Sequence, residues 1–200
     1  MSSILEMIQE KLGQEGVSQL SQRIGASESQ TNDAIGAALP ALVGALGRKG
    51  SDDQGMGSLL GMLDRDGDGN ILDDLPGFLS GNNGATQSHG IGAGDLLGSL
   101  LGGNQSRVEN GVQKASGLSG DATKNLLSML APMVLGALSK SKQSQGLDST
   151  GLKDFLGKEK VSVEKKTGGL IGRLLDQDGD GDFDLSDVAK LAMGKIFGRK

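Results

Sequence analysis

The sequence contains no cysteine, tryptophan or tyrosine, and only four phenylalanines, three prolines and one histidine among 200 residues. Without cysteine there is no disulfide framework and no thiol chemistry, and the redox compartment cannot be read from cysteine usage. The single histidine, His89, lies in a Gly/Asn/Ser-rich stretch with no partner nearby and reads as a solvated linker residue. No glycine-rich phosphate loop follows a strand pattern. These absences leave no base or nucleophile constellation, so an enzyme is not expected. The N-terminus, Met-Ser-Ser-Ile-Leu-Glu-Met, has neither a basic region nor the long apolar region of a Sec signal. The longest uncharged apolar run, Ala34–Gly47, is interrupted by Pro40 and falls short of the ~20 residues that span a bilayer. The expectation is a soluble, cytoplasmic protein without a membrane span, with export by a non-classical route left open.

What the sequence does have is glycine, 35 residues of it, and acid in two places. The formal net charge is −5. Asp64, Asp66, Asp68, Asp73 and Asp74 form one acidic segment, and Asp176, Asp178, Asp180, Asp182, Asp184 and Asp187 form the other. With those eleven carboxylates set aside, 14 acids face 20 bases. The acidity is therefore a property of two short segments. Five or six carboxylates within a dozen residues repel one another unless a cation neutralises them.

The spacing within the segments is specific. Asp64-Arg-Asp-Gly-Asp-Gly-Asn70 and Asp176-Gln-Asp-Gly-Asp-Gly-Asp182 both place carboxylates at loop positions 1, 3 and 5 and glycine at 6. An apolar residue follows at 8, Ile71 or Phe183. Oxygen ligands at that spacing wrap a hard divalent cation, usually calcium, while the glycine permits the sharp turn. In the second loop Asp176, Asp178 and Asp180 are the first ligands, Asp182 offers its carbonyl, Asp184 acts through water and Asp187 closes the sphere at position 12. An apolar stripe, Val188, Leu191, Ala192 and Ile196, gives it an exit helix. In the first loop position 12 is Leu75, which cannot ligate. A one-residue deletion makes Asp74 the closing ligand, with Asp73 as the alternative and Asn70 at position 7. Pro76 and Gly77 shorten any exit helix there. The complete loop resembles an EF-hand, or the loop–helix half of a dockerin module. It departs from the EF-hand at position 12, where Asp replaces Glu. The shorter side chain implies weaker calcium binding and poorer discrimination against magnesium.

The rest of the chain reads as helical and duplicated. At an offset of 92 residues, Gly25, Ser27, Thr31, Pro40, Gly44, Ala45 and Leu46 match Gly117, Ser119, Thr123, Pro132, Gly136, Ala137 and Leu138. The stretch Ser80–Gly94 separates the halves as a flexible linker. In the first half, apolar positions 4, 5, 8 and 12 predict a helix over Ile4–Leu12 ended by Gly13, and Val17–Ile24 a second. Ser27-Glu-Ser-Gln30 fits a capping box opening a third helix to about Leu46. That helix is apolar nearly all round and should be a buried centre. Pro40 and Pro132 should kink their helices, and small residues such as Gly36 and Gly44 should allow close helix contact. In the second half Leu96–Leu101, Glu109–Ser116 and Asp121–Ser139 repeat the scheme. Short helices, Ser58–Leu63 and Leu170–Leu175, feed the acidic loops. They align at an offset of 112, which places an insertion around Gln143–Gly168; its charged part, Lys158–Lys166, reads as a solvated helix face or loop. The expected fold is all-α: two tandem small helical bundles over residues 1–80 and 95–200, joined by a linker at 81–94, each followed by a helix–calcium-loop–helix element.

The segment Ile24-Gly-Ala-Ser-Glu-Ser-Gln-Thr31, followed by Leu39-Pro-Ala-Leu-Val-Gly-Ala-Leu46, resembles the bacterial YidB-like family, domain of unknown function 937. Gly117-Leu-Ser119 and Pro132-Met-Val-Leu-Gly-Ala-Leu138 resemble it as well, and the resemblance covers most of residues 1–140. It implies an all-helical bacterial protein and transfers no catalytic residue. Calcium is then the expected ligand, at two sites, with magnesium weaker. A protein partner or self-association through the Gly/Ala-rich helices is compatible with it. An alternative is DNA binding, since Leu20–Thr31 has the outline of a helix-turn-helix. Its second helix, however, opens with Glu28 and Asp33 rather than the basic and amide side chains a recognition helix needs.

Overall fold

The computed structural model describes residues 3–66, 77 and 93–166. The chain divides into two compact units, Met1–Lys160 and Val161–Lys200. Of the second, residues 161–166 are described and are helical. Among the described residues all regular structure is helical, with no strand. The all-α expectation is met.

The first helix, α1 (Ile4–Ile24), opens with a capping box: the Glu6 backbone N–H donates to Ser3 Oγ at 3.2 Å, and the Ser3 N–H donates to Glu6 Oε2 at 3.1 Å. At Gly13 the backbone turns to φ +52° and ψ −167°, so α1 is two helical pieces in succession. The expected break is there, but the second piece resumes at once instead of waiting until Val17. Gly25 ends α1 in the left-handed region, with φ +68°. Ser27 then caps α2 (Glu28–Lys49), accepting from the Gln30 N–H at 3.2 Å, while Thr31 Oγ1 donates to the Ser27 carbonyl at 2.8 Å. α3 (Asp53–Asp66) follows.

The later helices are α4 (Ala93–Leu101), α5 (Gln105–Ser116) and α6 (Gly120–Gln145), with a single 3₁₀ turn at Gly102–Asn104 between α4 and α5. α4 takes in the last two residues assigned to the linker; the remainder of 81–94 lies outside the described residues. Local chemistry at the α5–α6 corner matches that at the α1–α2 corner. Gly117 is left-handed with φ +70°, Ser119 accepts from the Ala122 N–H at 3.2 Å, and Thr123 Oγ1 donates to the Ser119 carbonyl at 2.9 Å. Gly146, at φ +60°, stops α6.

The core is built around α6. Residues 130–139 are buried without interruption, so this stretch has no solvent face at all. It is surrounded because α1, α2, α3, α4 and α5 all pack against it. α2 in turn packs on α1 and α5, and Gln30 Nε2 reaches the Gly117 carbonyl at 3.2 Å, tying one corner to the other. Helices from both ends of the family-like region therefore share one core. Both α2 and α6 run continuously through their prolines, Pro40 and Pro132, with no non-helical residue recorded in either. A proline in a helix loses one backbone hydrogen bond and crowds the preceding turn; packing on several sides holds the helix through it.

The insertion holds α7 (Ser149–Lys166), and Lys158 and Lys160 in its charged part are exposed, as on a solvated helix face. Leu152 and Leu156 are buried, and so is Glu159, whose Oε2 accepts from the Ile4 N–H at 3.0 Å. A carboxylate from the far end of the chain thus satisfies one of the free donors at the start of α1. The expected close contacts at Gly36 and Gly44 are not found, since a β carbon at either would meet no atom within 4 Å. Close approach occurs instead at Gly47, where a β carbon would lie 3.2 Å from Lys160 Cβ, and at Gly50, where it would lie 2.7 Å from Leu156 Cδ1. These are the residues that let α7 lie on the end of α2.

Gly55, in the first turn of α3, is the tightest position: a β carbon there would collide with the Lys49 backbone carbonyl, which cannot rotate away. Gly57, two residues on, has open space. Gly55→Ala should therefore destabilise the protein by about 1–3 kcal/mol through overpacking. Gly57→Ala should stabilise it by about 0.5–1 kcal/mol, because alanine restricts the unfolded chain and favours helix. Urea unfolding followed by circular dichroism reads both, and equal effects of the two substitutions would contradict this packing.

Candidate metal centre

The first acidic segment begins on α3. That helix starts with Asp52, whose Oδ1 accepts from the Gly55 N–H at 2.6 Å. It buries Met56, Leu59, Met62 and Leu63 along one stripe, against α6 and α2. Asp64 follows that stripe and turns outward, with 71% of its side chain exposed. Its Oδ1 pairs with Lys142 Nζ at 3.2 Å. Lys142 sits in the last turn of α6, and its own carbonyl accepts from the Gly146 and Leu147 N–H groups of the helix end. A cationic side chain there complements the negative end of the α6 dipole. The same argument applies to the end of α3, which presents partial negative charge to whatever binds beside Asp64.

Sequence spacing placed Asp64 and Asp66 at loop positions 1 and 3, after a helix ending at Leu63. In the structure both belong to α3. Asp64 is the predicted ligand whose side chain is placed; Asp66 is the last residue of the helix. Asp68, Asn70, Asp73, Asp74, Asp176, Asp178, Asp180, Asp182, Asp184 and Asp187 lie outside the described residues. Among the described residues no three Asp, Glu or His side chains come together in a way that could hold a metal ion. What can be tested is the fit of Asp64 itself. Its carboxylate is exposed and stands at a helix C-terminus, both of which suit a cation ligand, while Lys142 competes with a cation for it. Sequence reasoning missed Lys142, 78 residues away; no local pattern signals a contact of that separation.

Two other surfaces were legible only in part. The residues of the helix-turn-helix outline fall on the second piece of α1, Gly25, Ser27 and the start of α2. The exposed residues opening α2 are Glu28, Ser29, Asn32 and Asp33, which offer no positive charge to a phosphate backbone. Beside this corner, between the break in α1 and the first half of α2, lies an open groove of about 840 Å³. Leu12, Val17 and Ile35 contribute its apolar surface and Glu15 and Glu28 its charge, and no lysine or arginine lines it. Among the described residues no helix is long and apolar enough to cross a membrane.

Residues 6–141 match the family described as "Bacterial protein of unknown function (DUF937)". That span runs from the first turn of α1 to the last turns of α6 and includes the first acidic segment; α7 and the second segment lie beyond it. No curated protein and no solved structure matches the chain.

Asp64 is 71% exposed and Lys142 25%, so water screens the carboxylate end of the pair and it contributes little. Lys142→Met should change the unfolding free energy by less than about 1 kcal/mol, measured in urea at moderate salt. A larger loss would mean that Lys142 holds α6 and α3 together by more than this one contact.

Proposed function

The chain belongs to the bacterial DUF937 family, whose function is unknown, and from that premise we propose that it is a calcium-binding helical protein with no catalysis of its own. The observation that carries the reading is the spacing of oxygen ligands in residues 64–74 and 176–187, with Asp at 1, 3 and 5 and Gly at 6 in both. Asp64, Asp66, Asp68, Asn70 and Asp73 or Asp74 would hold one ion. Asp176, Asp178, Asp180, Asp182, Asp184 and Asp187 would hold the other in an EF-hand-like or dockerin-like loop. The placement of Asp64, exposed and at a helix end, supports the first site; a metal ion there would have to displace Lys142. Magnesium would bind more weakly at both.

The helical body is, on this reading, two copies of one unit set 92 residues apart. The matching left-handed glycines, serine caps and threonine hydrogen bonds at Gly25–Thr31 and Gly117–Thr123 support that. The acidic opening of α2 argues against the DNA-binding alternative. A structural role and a sensing role predict different responses. If the ions are structural, their removal unfolds helix, since binding is coupled to folding of the loops. If they sense calcium, removal shifts α3 and changes the exposure of Met56 and Met62, which are buried at 5% and 9%, with little loss of helix.

Calorimetric titration should give two binding events, with dissociation constants of about 10⁻⁵ to 10⁻³ M given the missing position-12 glutamate. Asp178→Ala with Asp180→Ala should remove one event, and Asp66→Ala with Asp68→Ala the other. Lys142→Met should tighten the first site by a few-fold, on the order of a surface ion pair. Circular dichroism with and without EDTA then separates the structural from the sensing role. No heat on titration, and no change in either signal on chelation, would overturn the reading. Micromolar constants would suit cytoplasmic sensing, and millimolar constants an extracellular setting.

A further inference from the structure

Burial sorts the methionines among the described residues into two groups. Met56, Met62 and Met133 are buried, Met133 completely. Met7 and Met129 are half-buried. Met129 lies on α6 immediately before the stretch that is buried without interruption, one turn ahead of Met133. Its sulfur therefore stands at the edge of the core, where α1 packs on α6. Arg23, exposed in the last turn of α1, places Nη1 4.0 Å from Met129 Sδ. A thioether is a weak acceptor, whereas a guanidinium is a positively charged fork of strong donors. A strong donor is thus aimed at a sulfur that can accept little from it.

We propose that Met129 is a site of reversible oxidation by peroxides and that Arg23 holds its sulfoxide. The inference depends neither on calcium nor on the two-unit reading. A lone pair on the sulfur attacks one oxygen of hydrogen peroxide. An S–O bond forms, the O–O bond breaks, and the departing oxygen takes up the proton of the transferred one and leaves as water. Sulfur is oxidised and the peroxide is reduced. Exposure decides where this happens, so the step is open at Met129 and closed at Met133. The product is a polar, chiral side chain, which disrupts a core when it forms inside one. At Met129 the oxygen forms at the core's edge, and the 4.0 Å between Nη1 and Sδ leaves room for it. A charge-assisted N–H···O bond is short and strong. Oxidation therefore replaces a weak contact between α1 and α6 with a stronger one, two residues before Gly25 turns the chain toward α2. Methionine sulfoxide reductases reverse the change.

The test treats the full chain with dilute hydrogen peroxide and follows each methionine by peptide mapping and mass spectrometry. Met129 should oxidise about ten-fold faster than Met133, and a methionine sulfoxide reductase should restore its mass. The part played by Arg23 is read from urea unfolding of reduced and oxidised protein. Met129→Leu, alone and with Arg23→Ala, is the reference, since it keeps every other methionine; a shift that it does not share belongs to Met129. With Arg23 present, oxidation of Met129 should leave the urea midpoint unchanged or raise it. In Arg23→Ala the same oxidation should lower the folding equilibrium constant by about five-fold, the worth of one hydrogen bond. Neither position is buried, and circular dichroism should show each variant folded. Oxidation of Met129 no faster than that of Met133 overturns the proposal. So does a loss of stability on oxidation that removal of Arg23 fails to deepen.

Discussion

The structure depends on the burial of α6. From Leu130 to Ser139 every residue is removed from solvent, and a helix buried all round must be walled by other helices on every side. An amphipathic helix can be satisfied by one neighbour, but this one cannot. The walls come from before and after it in sequence: α1, α2 and α3 on one hand, α4 and α5 on the other. The core side chains are small and aliphatic, with Leu126, Leu127, Leu130, Ala131, Val134, Ala137 and Leu138 at or near zero exposure. With almost no aromatic residues to fill space, the core on α6 is made of leucine, valine and methionine, with Ala131 and Ala137 fully buried among them.

That requirement explains where the irregular backbone falls. The chain needs sharp reversals between long buried helices, and it makes them with left-handed glycine followed by a serine cap, at Gly25–Ser27 and again at Gly117–Ser119. Each corner satisfies one of the free N–H groups of the next helix, that of Gln30 or Ala122. The break at Gly13 has a different consequence. It turns the first piece of α1 against the rest and opens the groove whose rim carries Glu15 and Glu28. α7 then locks the start of α1, with buried Glu159 on the Ile4 N–H and Leu156 against Gly50. α7 and the second acidic segment both lie beyond the residues that match the family.

What was legible in the sequence was local. Apolar residues at 4, 5, 8 and 12 marked the buried side of α1, and all four are buried. Gly13, Gly25 and Gly117 marked helix ends, and Ser27 with Gln30 marked a capping box that is present in full. What was not legible depended on residues far apart. Gly36 and Gly44 looked like packing glycines yet face open space, while Gly47, Gly50 and Gly55 carry the close contacts. No helical period distinguishes the two sets; only the position of α7 and of the α2–α3 turn does. Lys158–Lys166 looked solvated because its charges are dense, yet Glu159 is buried. A single buried carboxylate inside a charged run is invisible until the helix N-terminus that it caps is known. The candidate site shows the same limit. Asp64 is marked by spacing, but its partner Lys142 lies past Ser139, where the sequence pattern ends a helix that in fact continues to Gln145.

The two charge features of this chain obey different physics, which keeps their roles separable. The carboxylates of residues 64–74 and 176–187 are concentrated within a few residues of one another, so their mutual repulsion is relieved only by a charge placed among them. A compact divalent ion meets that need; a protein surface, with its cations spread along flexible side chains, does so poorly. The acids of the groove are the opposite case. Glu15 and Glu28 are single charges on separate helices, with no other carboxylate among the groove's lining residues. Charges of that kind are screened by salt, whereas an ion held among clustered carboxylates is bound by several of them at once. Calcium should therefore act on the acidic segments and meet no comparable site at the groove.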